Sequence, residues 1–271
     1  MDSELTKIKG GIPEHYDLGL GPNLFEDLGR DLANRVAVLN PSRVLELAAG
    51  TGILTRLLHD ALDKGSQLTA TDIVGPMLNV AKAKFAPEET IQFEVADAQD
   101  LPFDDQSFNT LVCQFGVMLF PDKQASYEEA FRVLAPGGQY LFNVWCSFED
   151  NPFALITDKT LAGFFDNDPP GFWRIPFSYN NPALITQSLQ TAGFTDIRVQ
   201  EQQIKKKVED YDRFAQGLVF GNPLVNEIRS RGTVEPEVVC LAISDALRAK
   251  FGREPSPISL KTFVISGTRP L

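Results

Sequence analysis

Val44-Leu45-Glu46-Leu47-Ala48-Ala49-Gly50-Thr51-Gly52 is the stretch that decides the fold, and it runs straight into Ile53-Leu54-Thr55-Arg56-Leu57-Leu58. Arg43 to Ala48 is a short apolar run of strand type. From Ile53 to Asp63, Leu54, Leu57, Leu58 and Leu62 recur at helical spacing. A strand that turns through glycines into a helix, at the carboxyl edge of a parallel sheet, is where open α/β folds take their ligands. Glycine has no Cβ, so a ligand can approach the main chain. The first turn of the following helix offers free amides and a partial positive charge to a carboxylate or phosphate. A tight turn needing glycine only for its backbone angles is the plainer reading of the same residues.

Outward from this loop the alternation continues. Leu68 to Thr71 is a strand and Pro76 to Phe85 a helix; Ile91 to Val95 and Thr110 to Gln114 are strands. Asp122 to Leu134 is a helix closed by Pro136-Gly137-Gly138, and Gln139 to Trp145 is the next strand. Short apolar strands separated by helices predict an α/β fold with a parallel sheet covered by helices on both faces. Upstream, Leu24, Leu28, Leu32, Val36 and Leu39 form the stripe of an amphipathic helix, preceded by a loop holding His15, Tyr16 and Asp17.

Past Cys146 the alternation stops. Residues 147 to 181 are rich in Phe, Pro, Asn and Asp and read as an irregular lid. Ala183 to Ala192 is then a helix, Thr195 to Ile204 a strand, 210 to 251 mostly helical, and Ser259 to Ser266 a last strand. The expected organisation is one domain over 1–271. It comprises an N-terminal cap and helix (1–42), a core (43–145), a lid (146–181) and a C-terminal half (182–271) with a helical insertion at 210–251.

With 271 residues, 43% of them hydrophobic, the chain can bury a full core. Its formal charge of −11 argues against nucleic acid and against an anionic membrane surface as partners. The only basic run, Lys205-Lys206-Lys207, follows a strand and reads as a solvated sheet edge. No apolar run approaches the roughly 20 residues of a membrane span, and Met1 to Gly11 lacks the apolar stretch of a secretory signal. Cys113, Cys146 and Cys240 stand apart, without metal-ligand or disulfide spacing. A cytoplasmic protein without metal, acting on a small molecule, is expected; the oligomeric state is left open.

Gly50-Thr51-Gly52-Ile53-Leu54-Thr55 partly fits the dinucleotide pattern G-x-G-x-x-G, with Thr55 in place of the third glycine. Asp72 lies 72 − 52 = 20 residues beyond Gly52, where a ribose-binding acid stands in such sites. The loop alone therefore fits a nicotinamide enzyme as well as any other adenosine-binding one.

Later residues separate these readings. Glu46 before the loop, Asp72 ending the second strand, Ala96-Asp97-Ala98 after the third, Leu101-Pro102-Phe103-Asp104-Asp105-Gln106-Ser107-Phe108, and Phe131-Arg132-Val133-Leu134-Ala135-Pro136-Gly137-Gly138 appear in order. The pattern resembles the class I S-adenosylmethionine-dependent methyltransferases, especially the ubiquinone/menaquinone-biosynthesis subfamily. It covers residues 44 to 145. The resemblance implies a Rossmann-like seven-stranded sheet with its last strand antiparallel, and S-adenosyl-L-methionine as cofactor. It implies that Ala48, Ala49, Gly50, Thr51 and Gly52 line the cofactor's amino-acid end, with Glu46 shaping the loop. Asp72, beside Ile73, would take the ribose hydroxyls, Met77 would touch the adenine, and Asp97 and the Ala98 amide would read the adenine edge. One departure stands out: the family often has glycine where this chain has Ala48, which tightens the approach there. A protein that binds the cofactor or its demethylated product without turnover, and a nicotinamide-dependent oxidoreductase, are the alternatives.

A sulfonium is already an activated leaving group, so the protein mainly aligns the nucleophile in line with the methyl carbon. Alignment can supply on the order of 7–11 kcal/mol, and a general base is needed only when a proton must leave. No base is evident. His59 sits on the helix after the loop, where it is expected to be exposed, and His15 in the N-terminal segment is a candidate. By the resemblance, Gln114 and Phe115 end the fourth strand next to the transferable methyl, while Tyr16 and Phe25 cover the cofactor. The apolar run to Phe120 suits an apolar or aromatic substrate. Phe148, Phe153, Phe164, Phe165, Phe172, Trp173 and Phe177 crowd the lid, and of these Phe172 and Trp173 are expected to meet the substrate. Asp168-Pro169-Pro170-Gly171 resembles a motif of nucleic-acid base methylases but lies after the wrong strand and lacks the aromatic, so it reads as a turn.

Overall fold

The computed structural model describes residues 11–165 and 168–271. The first ten residues of the expected cap, and residues 166 and 167 of the expected lid, lie outside the described residues. The elements, in order, are α1 (Ile12–His15), a run of wide helical turns (Tyr16–Phe25), α2 (Glu26–Val38), β1 (Arg43–Leu47), α3 (Ile53–Ala61), β2 (Gln67–Asp72), α4 (Gly75–Lys82), β3 (Ile91–Val95), β4 (Phe108–Gln114), a short 3-10 turn (Val117–Leu119), α5 (Lys123–Val133) and β5 (Leu134–Trp145). There follow α6 (Pro152–Ala162), a second 3-10 stretch (Phe172–Phe177), α7 (Pro182–Thr191), β6 (Thr195–Val208), α8 (Tyr211–Phe220), α9 (Leu224–Arg231), α10 (Pro236–Phe251) and β7 (Ser256–Thr268).

The strands form one seven-stranded sheet in the order β3-β2-β1-β4-β5-β7-β6. β1 to β5 pair parallel, and β7 lies antiparallel to β5. The chain builds leftward from β1 through β2 to β3, then restarts rightward with β4. The carboxyl ends of β1 and β4 thus flank the topological switch point, where such sheets open a crevice.

Packing divides the chain into two compact units. One comprises Leu28–Trp145, Tyr179–Gln202 and Thr262–Leu271; the other comprises the described part of Met1–Asp27, Cys146–Ser178 and Gln203–Lys261. In the first, strand alternation sorts side chains onto two faces. Leu32, Ala33 and Val36 of α2 and Leu54 and Leu58 of α3 cover Val44, Leu68, Val112, Leu141 and Val264. The opposite face is aromatic: Tyr127 of α5 packs against Tyr140 and Phe142 of β5. The Tyr127 hydroxyl meets that of Tyr179 at 3.0 Å.

Four local expectations change. The segment holding His15, Tyr16 and Asp17 is helical rather than a loop. Pro136-Gly137-Gly138 does not close α5; it is built into β5, opposite a register shift in β4, with the Gly137 amide bonded to the Arg269 carbonyl at 2.8 Å. β6 runs through the lysine triplet to Val208, which makes that run part of the sheet's outer strand. Lys206 there pairs with Asp27 at 2.9 Å and Lys207 with Glu209 at 2.9 Å, a charged edge that discourages strand addition.

The fourth change is the lid. Residues 146–181 carry the 11-residue α6 and a 3-10 stretch, and Phe153, Phe165, Phe172, Trp173 and Phe177 are buried. Within that unit Trp173 donates its indole N–H to the Ala154 carbonyl at 3.1 Å, and the rings of Phe148 and Phe177 stack at 4.7 Å. Asp168 to Gly171 is irregular chain, held by Arg231 through the Asp168 carbonyl at 2.7 Å.

Candidate cofactor and substrate site

The glycine loop takes left-handed backbone at three of five residues: Ala48 (φ 53°), Gly50 (57°) and Gly52 (78°). At Ala48 that conformation costs about 1–2 kcal/mol; the glycines adopt it freely. A Cβ placed on Gly50 would meet no heavy atom within 4 Å, so the loop is open on that side. A Cβ on Gly52 would stand 2.7 Å from Ala81 Cβ, so this glycine lets the loop seat on α4. The Ala48 methyl closes the other flank: a Cβ on Gly116 would come within 2.5 Å of it, 2.6 Å of Cys113 Sγ and 3.5 Å of Phe120 Cζ. Ala48, Gly116 and Phe120 therefore converge at the switch point. No side chain caps the start of α3, which leaves first-turn amides for a ligand's carboxylate.

Asp72 locks this loop. One of its oxygens accepts the Gly50 amide at 2.8 Å and the other the Val74 amide at 2.8 Å. Each oxygen keeps a lone pair for a hydroxyl. Burial raises its pKa, and the two amides work against that rise.

Glu46 shares the face of Val44, and 99% of its surface is removed from solvent, leaving 1%. Its Oε2 is buried without a hydrogen-bond partner, as is the Thr51 hydroxyl. Burial pushes the Glu46 carboxyl up to about 8; the Thr55 hydroxyl opposes the rise without reaching hydrogen-bonding geometry, and the Asp72 charge adds to it. The native chain thus binds a proton here that the unfolded chain releases above its ordinary value of about 4.5. Stability from this group is lost as pH rises from about 4.5 to about 8, and Asp72 contributes with the same sign. The melting temperature of the ligand-free chain is expected to fall across that window. Glu46→Gln should flatten the fall, and a profile unchanged by the variant would contradict it.

Asp97 holds Gln99, accepting its backbone amide and its side-chain amide at 2.9 Å each. Around the Asp72 end of β2, Met77 and Ala98 are buried, while Ile73 is 41% exposed and Val95 59% exposed. Val95 is the register partner of Asp72. Two exposed apolar side chains beside a buried carboxylate make a ledge for a flat apolar ring next to a polar group.

At the carboxyl end of β4, Phe115 has a left-handed backbone (φ 54°). Its amide donates to Asn143 Oδ1 at 3.0 Å and to the Asn143 carbonyl at 3.2 Å, and its ring stacks on Trp145 at 4.2 Å. A non-glycine residue in this region persists only where its surroundings fix it, and Asn143, fully buried, does so. The Gln114 carboxamide lies against α2, 3.0 Å from where a Cβ on Gly29 would be. Sequence reasoning missed Asn143, Val95 and Thr55. A lone Asn in the apolar run Tyr140-Leu-Phe-Asn-Val-Trp145 was the available signal for the first.

The remaining predicted residues belong to the other unit. The rings of Tyr16 and Phe25 stack at 5.1 Å, and His15 is exposed beside Phe220, ring centroids 5.4 Å apart. Phe172 and Trp173 are buried in that unit's own core. His59 is half-buried rather than exposed; Arg56 holds it, and Arg56 also pairs with Asp60 and with Glu89 at 2.6 Å. The three cysteines are free and buried. Among the described residues no cluster could hold a metal ion, and no helix is long and apolar enough to cross a membrane.

Comparison with known proteins agrees with this geometry. Residues 44–138 match the family model described as a methyltransferase domain. The chain is 40% identical over 172 residues, 58% of its length, to the demethylmenaquinone methyltransferase of Staphylococcus epidermidis, of which it covers 70%. It is 36% identical over 166 residues, also 58% of its length, to the Clavibacter sepedonicus protein of that name, and spans 65% of it, just under two thirds. Among solved structures, a phosphoethanolamine N-methyltransferase 2 of Haemonchus contortus, in complex with phosphomonomethylethanolamine and S-adenosylhomocysteine, superposes with a TM-score of 0.64 at 16% identity. That likeness covers 99% of this chain and 60% of that one, and it concerns the fold alone. The strand order, the Gly50–Gly52 loop locked by Asp72 and the relatives converge: the chain belongs to the class I S-adenosylmethionine-dependent methyltransferases.

Proposed function

We propose that the chain transfers a methyl group to an apolar aromatic small molecule of quinol type, acting as a single catalytic unit over 1–271. The observation that carries the cofactor half is the buried Glu46 carboxyl, unpartnered at Oε2, on the strand that runs into the open Gly50 loop. This pair suits a ligand that brings an ammonium and a carboxylate on one carbon. When bound, S-adenosylmethionine supplies a methyl on a positively charged sulfur, a leaving group that needs no acid.

This chain's residues do the rest. The Glu46 carboxylate would hold the ammonium, and the first-turn amides of α3 the carboxylate. Asp72 would accept from the ribose diol, with Ile73, Val95 and Met77 against the adenine and Asp97 at its amino edge. Gln114, Phe115 and Phe120, at the carboxyl end of β4, would position the acceptor. Stacking on Trp145 makes Phe115 a rigid apolar wall for a flat ring. His15 is exposed beside Phe220; alignment rather than a base is the working principle.

The quinol class is supported by the names of the two relatives and by the apolar run from Phe115 to Phe120. Incubation with S-adenosylmethionine labelled in its methyl group and a panel of naphthoquinols, simple phenols and amines tests it. Label is expected in the naphthoquinols first; transfer confined to amines would refute the substrate class. In that assay Asn143→Leu should lower kcat with little loss of stability. The change removes an acceptor for the Phe115 amide but also a buried donor, Nδ2, that has no partner. A melting temperature reduced in proportion to kcat would instead make Asn143 a purely structural residue.

A further inference from the structure

Among the described residues, Glu46 Oε2 is the only buried carboxyl oxygen without a hydrogen-bond partner. The groups facing it offer no compensating cation. From β2 comes the acid Asp72 and from β4 the thiol of Cys113; from α3 comes the Thr55 hydroxyl. The cations of the surrounding helices are engaged or exposed. Arg56 of α3 binds Asp60, Glu89 and His59, and Arg35 of α2 binds Asp31 at 2.6 Å and Gln200 at 2.9 Å. Arg30 of α2 and Lys82, the last residue of α4, are exposed. A buried carboxylate with neither cation nor donors is strongly disfavoured, and such a group keeps its proton instead.

We propose that the empty chain holds Glu46 as a neutral acid, and that a ligand bearing a primary ammonium expels that proton on binding. This inference rests on the cofactor reading above. The balance is simple: the carboxylic acid and the ammonium become a carboxylate–ammonium pair, and one proton passes to solvent. No bond other than the carboxyl O–H is broken. Binding then grows tighter with rising pH, up to the Glu46 value of about 8. An adenosyl ligand without the amino-acid end has nothing to exchange, although it still uses Asp72 and the adenine ledge. The loop thereby discriminates adenosyl ligands by the ammonium they carry, more strongly the higher the pH.

Calorimetric titration near neutral pH, in phosphate and in imidazole buffer, counts the protons directly, because their ionisation enthalpies differ. S-adenosylhomocysteine should release about one proton and its Kd should fall about tenfold per pH unit below the Glu46 value. Methylthioadenosine, which lacks the amino acid, should release none. Glu46→Gln, a neutral residue of the same size, should bind S-adenosylhomocysteine without proton release or pH dependence. If S-adenosylhomocysteine binds without releasing a proton, or if methylthioadenosine releases as many, the proposal is wrong while the cofactor reading stands. Absence of any adenosyl binding overturns both. The two-ligand comparison uses the unsubstituted chain, so the test survives a variant that fails to fold.

Discussion

Asp72→Ala is expected to abolish measurable binding of S-adenosylhomocysteine, with a loss of at least about 100-fold, or about 2.8 kcal/mol at about 1.4 kcal/mol per tenfold. Two losses combine. The ribose hydroxyls lose their acceptor, a hydrogen bond to a charged group worth about 1.5–3 kcal/mol. The Gly50 and Val74 amides, each now donating to Asp72 at 2.8 Å, lose theirs as well. A buried amide left unpaired costs about 1–3 kcal/mol, so the loop should relax out of the left-handed conformation at Gly50. Asp72→Asn separates the two effects. It keeps one acceptor oxygen but turns a donor toward the other amide, so it should damage the loop almost as much as alanine. Equilibrium dialysis against labelled ligand, with circular dichroism to confirm folding, reads the result. Binding within threefold of the unsubstituted chain would remove Asp72 from the site.

Trp173→Ala is expected to destabilise its unit by about 3–5 kcal/mol, the range for removing a large buried aromatic side chain. Trp173 is 5% exposed, its indole N–H is bonded to the Ala154 carbonyl, and its ring packs with those of Phe153 at 6.5 Å and Phe177 at 5.8 Å. Truncation opens a cavity and removes the indole hydrogen bond to α6. Urea denaturation followed by tyrosine and tryptophan fluorescence measures the loss; the Trp145 signal remains as reporter of the other unit. A cost under about 1 kcal/mol would mean that the side chain is held loosely, as a lid residue over substrate would be.

The difference between these two residues marks what could be read in advance. The place of Asp72 was legible because it is set locally: a carboxylate at the end of a short strand, at a fixed distance from a glycine loop. The strands from Arg43 to Trp145 were legible for the same reason, since each is a brief apolar run bounded by turn residues. The burial of Trp173 was not, because crowding of aromatics looks the same in a core and over a cleft. The Pro136-Gly137-Gly138 turn misled through an ordinary rule: proline and glycine punctuate structure, yet here pairing with Arg269 and a register shift absorb them into β5. Tyr16–Phe25 contains Pro22 and two glycines, which favour a loop reading, but it is helical, and the backbone of Gly19 lies against that of Gly217 on α8. Asn143 carried a faint signal, a single polar residue in an apolar strand, whose purpose depends on the unusual backbone of Phe115 on the neighbouring strand.

The central claim is that the Gly50–Gly52 loop, Asp72 and Asp97 form an S-adenosylmethionine site, and the most direct measurement is calorimetric titration of the unsubstituted protein with S-adenosylmethionine, S-adenosylhomocysteine and NADH. Saturable one-to-one binding of both adenosyl ligands, with none of NADH, is the predicted result. Binding of NADH in preference to either would contradict it and return the loop to a dinucleotide site in which Thr55 stands for the third glycine.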